Sequence, residues 1–402
     1  MNAFRVRHLE QALQLYYAPH TTGHLPLDLF LRHYYKCNKS VGSQDKKFIT
    51  QHIYQIVKWK GLLDHVTPPP ASWSSRIRTY FVSDRWKLQT QNEKLPPSTR
   101  TSFPPDLFNR IQNAYGTAKA IHICNTLNEE APTYLRTNTL AITRDRLYNY
   151  LLNKGESFRS SSDSPPQLEK QKAACIAVEK SPNSPYALVL PQRQRLGDLP
   201  EFHRGYFEIQ DEASQLAALK VEVKPGDKVL DFCAGSGGKS LAFGPQMMNK
   251  GKIYLHDVRE RMLQEAKKRL KRAGITNYTI LEPGNPTLSK LVGAVDWVVC
   301  DVPCSGTGAL RRNPEIKWKY KDEKLMDFVA LQRHIFSSAL QYAKPKTGKI
   351  VYITCSILDE ENVHQAKFFC QQHGLVLTEP PFHSLPTSHG MDGFFCAIFS
   401  RP

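Results

Sequence analysis

Two cysteines and a carboxylate follow the ends of two predicted strands in the last third of the chain. Asp301 and Cys304 come directly after the apolar run 296–300, and Cys355 comes after the apolar run 348–353. Ligands of a parallel sheet bind outside the carboxyl ends of its strands, so we expect these three side chains to face one crevice. A cysteine beside a turn is a candidate nucleophile, whereas a cysteine inside a strand is more often a small buried apolar group.

Two thiols and a carboxylic acid, together with a methyl donor, suit the methylation of cytosine at C5. This carbon is a poor nucleophile, and a thiolate that adds to C6 converts the ring to an enamine whose C5 can attack a methyl group. A carboxylic acid near N3 helps to hold a proton on the ring as charge develops. The C5 proton must then leave and the thiol must be eliminated, a step that a second thiol could assist.

A glycine-rich loop follows an earlier predicted strand, 228–231, and is a candidate cofactor-binding segment. Its residues are Cys233, Ala234, Gly235, Ser236, Gly237, Gly238 and Lys239. Glycine lets the backbone approach a ligand closely and adopt turns that other residues avoid. A second predicted strand, 252–255, ends near Asp257, twenty residues after Gly237. A carboxylate in that position suits hydrogen bonds to ribose hydroxyls.

Three ligand classes compete for this loop. A phosphate-binding P-loop requires glycine where Cys233 stands. A nicotinamide dinucleotide loop prefers a third Gly or Ala where Ser240 stands. S-adenosylmethionine needs the same ribose-binding carboxylate and is the ligand class that remains. The alternative is a glycine-rich turn that binds no ligand.

The charge of the chain points to a polyanionic partner. The 402 residues carry a net charge of +17. Residues 1–120 hold 17 Lys and Arg against 7 Asp and Glu, so +10 of this excess lies in the first third. Such clustering favours a nucleic-acid partner over the alternative that the positive charge only aids solubility. We therefore predict that residues 1–120 supply RNA affinity and none of the chemistry.

The cysteine count and the hydropathy pattern indicate the compartment. The nine cysteines include no C-x-x-C pair, and no apolar run reaches the length of a spanning helix. The N-terminus has no apolar segment typical of an export signal. We expect a cytoplasmic protein with reduced thiols, no membrane partner, no metal site and a monomeric state.

The pattern divides the chain into four regions. Residues 1–65 are predicted to be helical and basic, and 66–105 form a Pro- and Ser-rich connecting segment whose aromatic residues indicate that it packs somewhere. Residues 106–200 read as a small α/β unit with a polar loop at 160–164. Residues 201–402 alternate strand and helix signals, which is typical of a parallel sheet with helices on both faces.

Several segments together resemble the RsmB/Nop/Sun family of RNA cytosine-C5 methyltransferases, in particular the bacterial RsmB-like members. The matching segments, in the family's order, are 132–136, 210–214, 231–239, 301–304, 311–318, 354–356 and 392–395. The resemblance implies an α/β, Rossmann-like, S-adenosylmethionine-dependent methyltransferase domain in 201–402. It also implies a small α/β RNA-binding domain in 106–200, a helical RNA-binding region in 1–65, and RNA, most of all ribosomal RNA, as the substrate.

Roles for individual residues follow from the same resemblance. Cys355 would be the nucleophile, and Cys304 would assist product release. Asp301 would contact the cytosine ring and lie near the methyl donor. The loop 233–239 and Asp257 would hold S-adenosylmethionine.

The chain departs from the family pattern at two points. The family's loop usually reads Ala-Ala-Pro-Gly-Gly-Lys, whereas residues 234–239 read Ala-Gly-Ser-Gly-Gly-Lys. After the third strand the family usually has Asp near adenine, whereas this chain has Asn285. An amide carries no charge, so we expect altered affinity for the donor. A non-catalytic RNA-binding or assembly factor of the same fold is the alternative, and the presence of Cys304, Cys355 and Asp301 favours the enzyme.

Overall fold

The structure is a computed structural model that describes residues 2–18, 25–82, 84–152, 176–191, 194 and 196–402. The predicted polar loop at 160–164 lies outside the described residues. None of the helices in the described part of the chain is long and apolar enough to cross a bilayer.

The N-terminal region is helical, as its three- and four-residue apolar spacing predicts. Its helices are α1 (Ala3–Tyr16), α2 (Leu27–Cys37), α3 (Ser43–Lys58), α4 (Lys60–Val66), α5 (Trp73–Val82), α6 (Arg85–Leu88) and α7 (Pro97–Arg100). Leu9 and Ile53 lie in one buried core, which Ile77 of α5 and Trp86 of α6 also join. The segment 66–105, predicted as an irregular connection, is therefore partly helical and packs into this core.

Two further helices join the N-terminal region to the rest of the chain. They are α8 (Pro105–Tyr115) and α9 (Thr117–Asn128). Leu107 and Ile123 of this pair share a buried cluster with Leu310, Leu325 and Ile357, which belong to the C-terminal domain. Residues 1–120 are therefore not a separable arm, because part of them completes the core of the domain that follows.

A small antiparallel sheet comes next. Its strands and helices are β1 (Thr133–Thr137), α10 (Arg144–Leu152), β2 (Glu179–Lys180), β3 (Ala187–Leu190), α11 (Pro200–His203) and β4 (Phe207–Ile209). The strand order is β2-β3-β1-β4, and each pair is antiparallel. Because β4 pairs with β1, the sheet continues to Ile209, beyond the boundary predicted at residue 200.

The C-terminal domain is the predicted α/β unit. Its strands are β5 (Lys228–Asp231), β6 (Lys252–His256), β7 (Tyr278–Leu281), β8 (Trp297–Asp301), β9 (Lys349–Thr354), β10 (Val376–Leu377), β11 (Phe382–Ser384) and β12 (Phe394–Ser400). Its helices are α12 (Glu212–Leu219), α13 (Gly238–Phe243), α14 (Glu260–Arg272), α15 (Asp322–Leu340) and α16 (Val363–His373). Val298 and Val299 face opposite buried clusters, which explains the continuous apolar run in β8.

The strand order positions the site. The order is β7-β6-β5-β8-β9-β12-β10, with β5 to β9 mutually parallel, β12 antiparallel to β9, and β11 paired to β12. The chain moves outward from β5 through β6 and β7 and returns on the other side at β8. A crevice therefore opens between β5 and β8 at their carboxyl ends, where ligands of doubly wound sheets bind. The Rossmann-like fold expected from the sequence is confirmed.

Candidate active site

The two predicted thiols meet at the carboxyl ends of adjacent parallel strands. The Sγ atoms of Cys304, after β8, and Cys355, after β9, are 3.4 Å apart, and both side chains are half-buried. The hydrogen bond with Cys355, burial and the nearby Glu361 hold the pKa of Cys304 well above its usual range. Cys304 therefore keeps its proton and can donate its S–H to the sulfur of Cys355.

A buried polar cluster, which we call the Glu361 cluster, holds the two cysteine loops from behind. Its members are Ser305, Thr307, Gln332, Ser356 and Glu361. The carboxylate of Glu361 accepts hydrogen bonds from the backbone N–H of Ser305 at 2.9 Å, from the Ser305 hydroxyl, and from Nε2 of Gln332 at 2.9 Å. The hydroxyls of Thr307 and Ser356 are 3.0 Å apart and link the two loops. Sequence reasoning missed this cluster.

Asp301 is held in the crevice by the last residue of the glycine loop. Lys239 Nζ lies 3.0 Å from Asp301 Oδ2 and also donates to the hydroxyl of Ser214 at 3.0 Å. The ammonium group is buried, whereas the Asp301 side chain is 34% exposed. The ion pair therefore fixes the carboxylate of Asp301 and links the end of β8 to the glycine loop.

The glycine loop turns sharply from β5 into α13. Gly237 has φ +79°, and a Cβ there would lie 3.2 Å from the Cβ of Ala266 in α14. The backbone N–H of Gly235, at φ +50°, donates to Asp257 Oδ2 at 2.8 Å. A glycine is therefore required at 237, and the loop is tied directly to the tip of β6.

Asp257 is the carboxylate expected to bind ribose, and Arg259 occupies it in this structure. Oδ1 accepts from the backbone N–H and Nε of Arg259, both at 2.9 Å, and Oδ2 accepts from Nη2 at 3.0 Å as well as from Gly235. Burial disfavours the ionised form, but these hydrogen bonds outweigh it and keep the pKa of Asp257 below its usual range. Since a carboxylate has about four acceptor sites, a ribose bound at Asp257 would have to displace the guanidinium of Arg259, which is 62% exposed.

The small antiparallel sheet supports the glycine loop through a second group of charges, which we call the Glu208 clamp. Its members are Glu208, Ser236, Arg269 and Arg272. Arg269 donates to the backbone oxygen of Ser236 at 2.9 Å, to its hydroxyl at 2.7 Å, and to Glu208 at 2.9 Å. Arg272 pairs with the other oxygen of Glu208. The serine that replaces the family's usual proline is therefore fixed by Arg269, a partner that sequence reasoning missed.

A buried arginine of β1 reaches the same loop. Arg136 donates to the backbone oxygen of Gly238 at 3.2 Å and to Gln210. Burial lowers the pKa of this guanidinium to about 9, since little water remains to solvate the charge. The small sheet is thus docked against the loop rather than standing apart from it.

Asn285 follows β7, as predicted, at the far side of the crevice. Its Oδ1 accepts the backbone N–H of Thr287 at 2.9 Å, an Asx turn that leaves the Nδ2 group available to donate. The side chain is half-buried. An amide held this way would offer a bound adenine mainly a donor, where the family's usual aspartate would offer only acceptors.

These residues fit S-adenosylmethionine. Burial raises the pKa of Cys233 well above its usual range, so the thiol is neutral beside the loop. Burial also raises the pKa of Asp231 to about 7, and its Oδ1 has no hydrogen-bond partner among the described residues. At Gly238 an added Cβ would meet no atom closer than 3.9 Å, so backbone and space are open to a ligand. In the described ranges no group of three or more His, Cys, Asp or Glu side chains is placed to hold a metal.

Three other segments that carry the resemblance form a structural joint. Arg311 lies 2.6 Å from Asp392, and both side chains are fully buried. Arg312 pairs with the second oxygen of Asp392 and, at 2.8 Å, with Asp211. Lys317, also buried, donates to backbone and amide oxygens of the helical regions. These motif residues hold the regions together and lie outside the thiol pair.

Comparison with known proteins supports the same family. A family model described as 16S rRNA methyltransferase RsmB/F matches residues 218–400, and a model for the ferredoxin-like domain of RsmF/B-like methyltransferases matches residues 103–169. The Ribosomal RNA small subunit methyltransferase B of Salmonella newport is 30% identical over 373 residues, which cover 87% of this chain and 81% of that protein. The protein of the same name from Serratia proteamaculans is 32% identical over 77% of this chain and 70% of its own length.

Solved structures share the fold. The crystal structure of PH0851 covers 99% of this chain and 98% of its own, with a TM-score of 0.76 and 23% identity. NSun6 from Pyrococcus horikoshii, solved with SFG, covers 74% of this chain and 98% of its own, with a TM-score of 0.63 and 20% identity. With the family models and the relatives that span most of its length, the chain belongs to the RsmB/F family of 16S rRNA methyltransferases.

Proposed function

We propose that this chain transfers a methyl group from S-adenosylmethionine to C5 of a cytosine in small-subunit ribosomal RNA, through a covalent bond between Cys355 and C6. The observation that carries the proposal is the 3.4 Å thiol pair, which stands beside Asp301 at the ends of two adjacent strands. The named relatives support ribosomal RNA as the substrate class.

The donor side of the crevice binds the cofactor. The loop 233–239 would enclose it, Asp257 would hold the ribose, and Asn285 would meet the adenine. When bound, S-adenosylmethionine supplies an electrophilic methyl group. Asp257 is suited to this contact because its hydrogen bonds hold its pKa below the usual range, so burial does not protonate the carboxylate.

The thiol side performs the covalent chemistry. The thiol of Cys355 gives up its proton as its sulfur adds to C6 of the cytosine, and N3 takes up a proton in the same step, so the adduct gains no net charge. The carboxylate of Asp301 accepts a hydrogen bond from the resulting N3–H group. The ion pair with Lys239 keeps Asp301 oriented for this contact. The enamine then carries enough electron density at C5 to take the methyl group.

Release requires transfer of the C5 proton to water, and the C5–H electron pair then restores the double bond between C5 and C6. The bond between C6 and sulfur breaks in the same elimination, and its electron pair returns to Cys355. Cys304 is a protonated thiol next to that sulfur. Its S–H therefore stabilises the negative charge that develops on the departing sulfur. In this mechanism Cys355 is the nucleophile and Cys304 acts only in elimination.

The test is the identity of the methylated nucleoside. Wild-type protein, an unmodified transcript of small-subunit ribosomal RNA and labelled S-adenosylmethionine should yield 5-methylcytidine by mass spectrometry, at one position in bisulfite mapping. Cys37→Ser is the matched control, because Cys37 is an exposed thiol on α2, and it should retain activity. Label in a nucleoside other than 5-methylcytidine would show that the protein does not methylate C5 of cytosine. Donor binding without any methyl transfer would favour an assembly factor.

A further inference from the structure

A cavity of about 220 Å³ lies beside Cys304, and no residue of the loop 233–239 lines it. Cys304 and Ser305 form one wall, and the segment 316–328 forms most of the rest. Its surface is largely apolar and includes the rings of Tyr320 and Phe328. The cavity is smaller than the roughly 300–1,000 Å³ pockets of drug-sized ligands, so it suits one small flat group.

The cavity is distinct from the place where the target cytosine reacts. Cys355, Asp301 and Lys239, which the reaction requires, do not line it. Cys304 does line it, so its occupant would lie immediately next to the reacting ring. A group that is adjacent to the target and separate from it is, in an RNA strand, the neighbouring nucleotide.

The charges around the cavity suit a phosphate backbone. Lys319, Lys321 and Lys324 belong to its lining. Lys321 and Lys324 are exposed, and neither ammonium group makes an ion pair with another described residue. Lysines on an apolar, aromatic-lined pocket match a base that inserts while its flanking phosphates stay at the mouth.

The position of the cavity supports the same occupant. Lys319 donates to the hydroxyl of Tyr16 at 3.0 Å and to the backbone oxygen of Leu25 at 3.3 Å. The cavity therefore borders the N-terminal helical region, whose residues belong to the most basic third of the chain. An RNA strand that runs from the thiol pair toward that region passes over the cavity.

We propose that this cavity binds the base of the nucleotide adjacent to the target cytosine, on the side of the strand that leads to the N-terminal region. The inference rests on the proposed function, since it requires an RNA strand in the crevice. Phe328 and Tyr320 stack on the base, and Lys321 and Lys324 contact its phosphates.

The first experiment measures the affinity of the full chain for the unmodified small-subunit transcript. Phe328→Ala should weaken binding about tenfold, the loss typical of one base–aromatic stack. Met326→Ala is the matched control, because Met326 is an exposed apolar residue of the same helix that does not line the cavity, and it should change affinity less than twofold. Unchanged affinity for S-adenosylmethionine in both variants verifies that the domain is intact.

A second variant covers the case in which Phe328→Ala does not fold. The double variant Lys321→Ala/Lys324→Ala should reduce the slope of log affinity against log salt by about 1.4, since each single-strand phosphate contact contributes about 0.7. An unchanged slope, or an unchanged affinity in folded Phe328→Ala, overturns the proposal.

A third measurement identifies the base itself. In a short RNA around the mapped cytosine, each neighbouring base is replaced in turn by an abasic site. The losses from the correct abasic site and from Phe328→Ala should not add, because both remove one contact. If the losses of affinity add at both neighbouring positions, the cavity does not bind a neighbouring base.

The two proposals fail in different ways. If wild type methylates RNA and the Phe328→Ala variant binds RNA with full affinity, the proposed function stands and the proposal for the cavity is wrong. If wild type transfers no methyl group, but Phe328→Ala still weakens RNA binding and Met326→Ala does not, the proposed C5 chemistry is wrong and the proposal for the cavity stands.

Discussion

The thiol side and the donor side of the crevice are supported in opposite ways. The cysteine loops rest on the Glu361 cluster, whose members all belong to the C-terminal domain and bond mainly through hydroxyl, amide and backbone groups. The glycine loop rests on the Glu208 clamp, which crosses from the small antiparallel sheet through two ion pairs and reaches Ser236 through hydrogen bonds from Arg269. The polar cluster behind the cysteine loops therefore lies within the C-terminal domain, whereas the charges behind the glycine loop depend on docking of the small antiparallel sheet.

The difference has an energetic consequence. Removal of one partner from a buried ion pair leaves a charge without compensation and is strongly destabilising. Glu208 is buried, so its two arginines are needed wherever the small sheet is docked. We infer that donor affinity reports on domain docking, whereas the geometry of the thiols does not.

The largest effect in this comparison is expected at Glu361. Glu361→Ala leaves the backbone N–H of Ser305 without its acceptor and removes one of the two acceptors of Gln332 Nε2, so the Cys304 loop should shift. A misplacement of about 1 Å can lower the rate about 100-fold. We expect that loss in kcat, with donor affinity unchanged by calorimetry.

Glu361→Gln is the matched variant, because it keeps an acceptor for both donors. It should recover most of the activity. Full activity in Glu361→Ala, or an equal loss of donor affinity, would remove the distinction between the two sides.

An intermediate effect is expected at Arg269. Arg269→Met removes two hydrogen bonds to Ser236 and half of the pairing of Glu208. Hydrogen bonds to charged groups contribute roughly 1.5–3 kcal/mol, so the Kd for S-adenosylmethionine should rise about tenfold or more. Arg261→Met, an exposed arginine of the same helix, should leave it unchanged. Equal values for the two variants would show that the Glu208 clamp does not shape the donor loop.

The smallest effect is expected at Arg259. Arg259→Ala frees the acceptor sites of Asp257, so ribose hydroxyls no longer compete with the guanidinium. Exposed ion pairs contribute roughly 0.2–1 kcal/mol, which predicts a donor Kd up to about fivefold lower. A higher Kd in calorimetry would mean that Arg259 is itself a ligand of the donor.

Local patterns were sufficient to predict the strand ends that carry the chemistry. The apolar runs ending near Asp231, Asp257, Asp301 and Cys355 are strands in the structure, because burial on both faces of a parallel sheet leaves a clear signal. The residues that support the site from behind gave no comparable signal in the sequence. Glu208 and Arg269 are 61 positions apart, and buried Glu361 resembles its exposed or half-buried acidic neighbours in sequence.

The prediction for the connecting segment was wrong because it took the prolines there as marks of irregular structure. Residues 66–105 were expected to be irregular, but Pro97 and Pro105 each stand at a helix start, where a missing N–H costs nothing. The docking of α8 against Leu310 and Leu325 was equally invisible, since it depends on contacts about 200 positions apart. Removal of residues 1–120 would expose that core, so point variants of exposed lysines are the better test of RNA affinity.

The measurement that most directly tests the division of labour between the thiols is trapping of the covalent adduct. Cys304→Ala should still add to the cytosine and methylate it, then stall, so protein and RNA should migrate together through a denaturing gel. Cys355→Ala should give neither adduct nor methylation, and Cys37→Ser should behave as wild type. An adduct in Cys355→Ala would show that the two roles are exchanged. Methylation by Cys355→Ala without any adduct would contradict covalent catalysis by this pair.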